Sequence, residues 1–196
     1  MKKLIVDFIF LFFSFMVFSA PFGLKMGMTL KDIESVCTSE PEYIADDRYY
    51  IQPIKSHPRF DGYIVWVSES NGLYYIKGIS NEIATTNYGN EIKLEFSKIL
   101  SSLERKYGKF KKIDNLAKDA LWNEDKYWMK SIASGSRIYE AEWEASVGDA
   151  EKFEGLISIS LGIKTSKSYV DDRAYIWIEY EFSNAANGFD DLDDVL

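Results

Sequence analysis

Two short acidic runs hold the residues of this chain that are best placed to do chemistry. Glu140, Glu142 and Glu144 alternate with apolar residues, and Glu179 and Glu181 alternate in the same way later in the chain. Glycoside hydrolysis needs two such carboxyl groups, one of them an acid whose pKa is raised by burial. Alternating Glu is also the ordinary pattern of the solvent face of a strand. We expect the solvent face, and a carbohydrate-directed enzyme is the alternative.

The single cysteine and the single histidine offer a second kind of chemistry. Cys37 and His57, with Asp61 or Asp47 orienting the ring, would form a nucleophile and its base. Nothing beside Cys37 in the sequence marks its thiol as activated, and a free cysteine is often a small buried apolar residue. One Cys and one His are also too few for the usual zinc site. We therefore predict no catalytic residues, no metal and no cofactor.

The elements that must position these residues are strands in the last third of the chain. Alternation predicts strands over 137–145, 156–163 and 174–182. In the first of them Trp143 faces away from the acids, whereas in the last Trp177 shares a face with them. Before these strands the pattern predicts a helix from Asp114 to about Asn123. It also predicts a strand over 126–132, joined to the next strand by a turn at Ser134-Gly135.

The best-specified stretch of the sequence runs from Gly62 to Gly108. Apolar, β-rich runs on either side of Asn71-Gly72 predict a hairpin with a type I′ turn. A helix over 90–107 is then predicted by six apolar residues that recur on one stripe: Ile92, Phe96, Ile99, Leu100, Leu103 and Tyr107. Gly108 is the expected left-handed residue at the end of the helix.

A short motif near the start of the predicted domain suggests a family. In the run Gly27-Met-Thr-Leu-Lys-Asp-Ile33, Thr29 is an expected helix cap, with Asp32 three residues on. The run resembles the Gly-Met-Thr opening of BamE/SmpA-like envelope domains, although Cys37-Thr-Ser-Glu-Pro41 stands where those domains have Leu-Gly-x-Pro. The resemblance implies a small α+β domain that assembles or binds proteins or inhibits enzymes. It carries over no functional residue, because the Gly and Thr are turn and cap residues.

The first twenty residues predict where the protein goes. Lys2 and Lys3 precede an apolar run that ends in the small residues Ser19 and Ala20, which is the layout of a secretory signal peptide. We expect residues 1–20 to be removed and the protein to be periplasmic or secreted. An uncleaved membrane anchor is the alternative, but the run is short for a membrane span, and Asp7 interrupts it.

Composition limits the partners that the remaining chain can have. The net charge of −8 and the lack of a Lys/Arg cluster argue against nucleic acid and against an anionic membrane surface. Aromatic residues make up 16% of the chain, and Tyr and Trp are favoured at protein interfaces. We predict another protein, of basic character, as the partner. The predicted binding residues are Trp66, Trp143, Trp177, Glu142 and Glu179.

The expected fold is a single α+β domain over 21–196. Its antiparallel sheet would have about six or seven strands, packed against one long and two short helices. Two packed halves, 21–112 and 113–196, are the alternative division. Three functions stay open: a non-catalytic binding module such as an inhibitor or immunity-type protein, an assembly factor of the bacterial envelope, and the carbohydrate-directed enzyme.

Overall fold

The computed structural model describes residues 20–146, 148, 150–167 and 171–185, so the signal segment predicted over 1–20 lies outside it except for Ala20. The α+β fold with a large antiparallel sheet is confirmed. The predicted strand count was too low, because the sheet has eight strands in one continuous path and a ninth paired beside it.

The strands are β1 (Glu42–Ala45), β2 (Arg48–Ile51), β3 (Phe60–Ser68), β4 (Gly72–Ser80), β5 (Ile83–Ala84), β6 (Lys111–Leu116), β7 (Arg137–Glu144), β8 (Leu156–Lys164) and β9 (Arg173–Phe182). The α-helices are α1 (Leu30–Glu34), α2 (Asn90–Tyr107), α3 (Trp128–Ala133) and α4 (Ala150–Phe153). Short 3₁₀ helices span Pro21–Gly23 and Asp125–Tyr127. No helix within the described ranges is long and apolar enough to cross a membrane.

The order of the strands brings two meanders together. The path across the sheet is β1-β2-β3-β4-β9-β8-β7-β6, and β5 pairs with β9. Each meander therefore contributes its last strand to the centre, where β4 and β9 are antiparallel neighbours. A helix precedes each meander, α1 the first and α2 the second. Residues far apart in the sequence thus meet along the β4–β9 junction.

One face of the sheet is covered by the helices and forms the core. The apolar stripe predicted for α2 is confirmed, since Ile92, Phe96, Ile99, Leu103 and Tyr107 are buried on it. They join a single cluster with inward residues of the strands. Because side chains alternate along a strand, every second residue of each strand is left for the opposite face of the sheet.

The predicted hairpin is present, but its turn differs from the prediction. Ser68 pairs with Gly72, so three residues form the loop, and of Asn71 and Gly72 only Gly72 has a positive φ, of 66°. Packing explains why glycine is needed at this position. A Cβ at Gly72 would overlap the backbone carbonyl of Gly27, whose N–H donates to the carbonyl of Leu73 at 2.8 Å.

Two predicted elements were wrong in type. Residues 114–116, predicted as the start of a helix over 114–123, belong instead to strand β6, in which six successive residues pair with β7. Residues 126–132, predicted as a strand, contain the helix α3. Trp128, Met129 and Ile132 are buried on one side of this helix at helical spacing. This burial outweighs the short apolar–polar alternation that had predicted a strand. Gly135, with φ of 72°, follows the end of this helix, so the predicted turn at Ser134-Gly135 does not join two strands.

Candidate functional site: the open face of the sheet

No helix or strand of the described ranges packs on the second face of the sheet, which we call the open face. Cross-strand pairs place three rows of side chains on it. The first row is Arg48, Trp66, Tyr75, Glu181, Ser158 and Glu144. The second is Tyr50, Ile64, Lys77, Glu179, Ser160, Glu142 and Lys111. The third is Gly62, Ile79, Trp177, Gly162, Glu140 and Ile113.

The two meanders give the open face two unlike halves. The half on β2–β4, which we call the aromatic half, presents Tyr50, Ile64, Trp66, Tyr75 and Ile79. The half on β7–β9, the acidic half, presents Glu140, Glu142, Glu144, Glu179 and Glu181. The predicted alternation of acids with apolar residues on β7 and β9 is confirmed by this arrangement. Aromatic and acidic side chains are therefore separated along the open face itself, in addition to the separation of apolar and polar side chains between the two faces of the sheet.

The aromatic half meets the acidic half through a tyrosine. The rings of Trp66 and Tyr75 lie edge to face, with centroids 4.9 Å apart. Burial raises the pKa of Tyr75, and its hydrogen bond with the Glu179 carboxylate raises it further. Tyr75 therefore stays protonated and keeps its hydroxyl on Glu179.

Several of the acids are held by cross-strand partners. Lys77 Nζ lies 2.7 Å from Glu179, and Lys111 Nζ lies 3.1 Å from Glu142. Glu140 is different, because burial raises the pKa of its carboxyl and the neighbouring Glu142 and Glu179 carboxylates raise it as well, while Lys164 opposes the shift. An additional cation would stabilise the ionised form of this carboxyl more than that of the acids that already have a lysine partner.

Trp177 occupies the centre of the open face at the β4–β9 junction. Its indole lies over Gly162, where any Cβ would overlap the ring. The ammonium groups of Lys77 and Lys164 lie 5.5 and 5.3 Å from the ring centroid. Only 5% of the residue is exposed, and its Nε1 is buried without a hydrogen-bond acceptor among the described residues.

Four of the five predicted binding residues share the open face, and one does not. Glu179 and Trp177 lie on the β4–β9 junction, Trp66 lies on the neighbouring strand β3, and Glu142 lies on β7, two strands from β9. Trp143 is on the covered face, 1% exposed, and its Nε1 donates to the carbonyl of Gly108 at 2.9 Å. It is a core residue, and a partner on the open face cannot reach it.

Sequence reasoning left out of the site three residues that the structure brings to it: Tyr75, Lys77 and Lys164. The sequence signal for Tyr75 and Lys77 was their position on an alternating strand. That signal could not show that β4 lies beside β9, which is 102 residues away at the Lys77–Glu179 pair. Lys164, at the end of β8, has no sequence signal that links it to Trp177.

Cys37 and His57 occupy unrelated structural positions. Cys37 bridges to Pro53 through the backbone, and burial raises the pKa of its thiol. His57 Nδ1 accepts a hydrogen bond from the backbone N–H of Arg59 at 3.2 Å, and burial lowers the pKa of the imidazole. An activated nucleophile needs a lowered thiol pKa, so these surroundings are those of a structural cysteine.

The five glutamates of the acidic half do not line one described cavity together. A shallow cavity of about 410 Å³ at the end of the sheet is bordered by Glu140, with Arg137 and Lys164, and no second carboxylate lines it. A glycosidase needs two acids on opposite sides of one sugar. Within the ranges that the structure covers, no three His, Cys, Asp or Glu side chains are grouped as metal ligands.

Comparisons of the chain with protein-family models, with curated proteins and with solved structures found no match. The resemblance to BamE/SmpA-like domains therefore stays a prediction. In the structure its residues have local roles. Thr29 caps α1 in a reciprocal pair with Asp32, and Gly27 packs against Gly72.

Proposed function

We propose that this protein is an exported, non-catalytic module that docks on a folded partner protein through the open face. One observation carries the proposal: a sheet of eight strands, covered by helices on one side, presents aromatic and acidic halves side by side on the other. Tyr and Trp are enriched at the energetic centres of interfaces. An inhibitor or immunity-type protein is one such module.

The chemistry of the two halves defines the partner. The aromatic half matches an apolar patch, and the acidic half, with five Glu against Lys111 and Lys164, matches Lys or Arg side chains. A partner surface with an apolar patch beside a basic one would fit both. Complementary charge would mainly speed association, so the association rate constant would fall with added salt.

Site-specific photocrosslinking in the organism that produces the protein tests this function. A photoreactive phenylalanine replaces Trp66 on the open face in one variant of the full chain. In a second it replaces Leu94, which is 57% exposed on α2 at the other side of the sheet. We expect one dominant adduct from position 66 and none from position 94. Equal adducts from both positions, or none from position 66, would contradict the proposal.

The same method separates this function from envelope assembly through the N-terminal motif. A third variant carries the photoreactive residue at Lys25, an exposed position within 23–29. An adduct from Lys25 in place of Trp66 would favour the assembly factor. When the adduct from position 66 has been identified by mass spectrometry, Glu142→Lys and Glu179→Lys should weaken binding of that purified partner, whereas Glu104→Lys on α2 should not.

Export is a separate part of the proposal and has its own measurement. The signal-like layout of residues 1–20 supports it. We expect the protein from the envelope or culture fraction to begin at residue 20 or 21 by intact mass. A full-length chain that stays with the membrane would indicate an anchor instead.

A further inference from the structure

The centre of the open face contains a hydrogen-bond donor that has no acceptor. Trp177 is 5% exposed, and its Nε1 is buried without a partner among the residues described. A buried N–H without an acceptor lowers the stability of the fold relative to one that is hydrogen-bonded. Trp143, on the covered face, has its N–H satisfied by a backbone carbonyl. The difference points to an acceptor that an incoming molecule supplies.

The position of Gly162 shows where this donor lies. A Cβ at Gly162 would stand 2.7 Å from the Trp177 Nε1 atom, so the N–H edge of the indole lies over β8. On the far side of β8, Gly162 pairs with Glu140. The N–H edge is therefore between the backbone of β9 and the Glu140 side of the acidic half.

Three carboxylates surround the same point. Glu140 lies across Gly162 from Trp177, and Glu142 lies across Ser160 from Glu179 in the neighbouring row of the sheet. Glu142 has Lys111 as its partner, and Glu179 has Lys77 and the Tyr75 hydroxyl. A carboxylate has about four acceptor sites, so both can accept further donors. This cluster and the unsatisfied N–H are independent observations at one place.

The face of the Trp177 indole is already a cation site. Lys77 and Lys164 hold their ammonium groups 5.5 and 5.3 Å from the ring centroid. Both are long, flexible side chains whose ammonium groups can move off the ring. A planar cation could therefore replace an ammonium group over the ring without any movement of the backbone.

We infer, on the basis of the proposed function, that the centre of the open face is a binding site for an arginine side chain of the partner. The guanidinium lies between Glu140 and Glu179 and stacks on Trp177, while the Trp177 N–H donates to the backbone carbonyl next to that arginine. Arginine fits better than lysine because its flat group stacks on an indole and donates to several carboxylates at once.

A small arginine compound tests the site without the partner. The probe is N-acetyl-L-argininamide, and the matched compound is N-acetyl-L-citrullinamide, which has nearly the same shape and the same backbone carbonyl groups but an uncharged urea in place of the guanidinium. The readout is the indole ¹H–¹⁵N resonance of Trp177 in the full chain, assigned with Trp177→Phe. Up to about 100 mM of each compound covers weak, millimolar binding. We expect the arginine compound to shift this resonance about fivefold more than citrulline does, since one cation–π or ion-pair contact is worth about that factor.

Variants show whether the response belongs to this site. Glu140→Gln and Glu179→Gln should each reduce the shift, whereas Glu104→Gln on the exposed side of α2 should leave it unchanged. The Trp143 resonance, bonded to Gly108, should not move. Equal shifts with both compounds, no shift, or no effect of the two open-face variants would overturn the arginine site.

The two proposals fail separately. An open face that crosslinks to nothing in the producing organism, with an intact arginine response, would remove the docking function and leave a cation site. A crosslinked partner, with no arginine response, would keep the docking function and remove the arginine site.

Discussion

Two tryptophans on opposite faces of the same sheet show how differently the faces are built. Trp143 on β7 packs against Phe110, with ring centroids 5.3 Å apart, and its N–H donates to the carbonyl of Gly108. Trp177 on β9 is buried almost as deeply, yet its N–H has no acceptor among the described residues, and lysines cover its ring. Burial alone therefore does not distinguish a tryptophan whose N–H is satisfied within the fold from one whose N–H is not.

The contrast assigns different tasks to the two faces. The covered face gathers the apolar side chains of both meanders and α2 into one cluster. The open face keeps charges, a half-buried carboxyl group and an unsatisfied donor, all of which lower stability unless something pairs with them. Features that weaken the free protein but suit a partner are what a docking surface would retain.

The largest expected effect is on the covered face. Trp143→Ala should lower the free energy of unfolding by about 3–5 kcal/mol, because it removes a fully buried aromatic side chain and leaves a cavity and an orphaned carbonyl at Gly108. Chemical denaturation with urea measures the loss.

Trp66→Ala provides the matched comparison on the open face. Trp66 is half-buried and its ring packs edge to face on that of Tyr75, so we expect a loss of about 1 kcal/mol. Equal losses for the two variants would mean that the open face is as much a part of the core as the covered one.

An intermediate effect is expected where the Trp177 indole packs on the backbone of Gly162. Gly162→Ala should lower the free energy of unfolding by about 1–3 kcal/mol, because the added methyl group overlaps the Trp177 indole and must displace it. The same displacement should expose the ring, which quenching of tryptophan fluorescence by acrylamide detects. Gly148→Ala, where a methyl group would meet no atom of the described residues within 4 Å, should change neither quantity.

The smallest expected effect depends on pH and concerns Glu140. Burial raises the pKa of this carboxyl above its ordinary value of 4.5, so the folded state binds the proton more tightly than the unfolded state does. Stability then falls as the pH rises from 4.5 through the folded-state pKa, and stays lower above it. Glu140→Gln removes this loss. The variant should be more stable than the original protein at pH 7, and the difference should close below pH 4.5 in thermal unfolding.

Glu91, at the start of α2, should give the opposite slope. Its carboxylate accepts the backbone N–H of Thr86 at 2.7 Å and the Thr85 hydroxyl at 2.9 Å, and these bonds lower its pKa to about 2. A lowered pKa stabilises the fold above the ordinary value and the gain is lost as the pH falls through about 2. Glu91→Gln should therefore be less stable than the original protein at pH 7, with the difference shrinking in acid. If the stability differences of Glu140→Gln and Glu91→Gln changed with pH in the same direction, the surroundings assigned to the two carboxyl groups would be contradicted.

Local patterns predicted much of this structure because they depend on nearby residues. The stripe on α2, the cap at Thr29 and the alternation on β7 and β9 were all predicted correctly. The errors at β6 and α3 came from short segments, where helical and extended spacing coincide over a few residues. There the pairing with β7 and the burial of Trp128 decided the outcome.

The candidate site was predicted only in part, for a similar reason. The faces of Glu142, Trp177 and Glu179 follow from alternation within one strand. Strand neighbours, which the sequence does not reveal, decide that Trp143 lies in the core and that Trp66 lies beside Tyr75. That Trp177 lacks an acceptor depends on the glycine opposite it.

The sequence by itself determined the elements that local periodicity controls: the long helix, the amphipathic strands, and the acidic and aromatic content of the chain. Only the tertiary structure decided that β4 would pair with β9 and so bring Lys77 to Glu179 and to Trp177. The physical reason is that side-chain alternation is set along one strand, whereas the partner of a strand is set by the free energy of closing the whole sheet over its core.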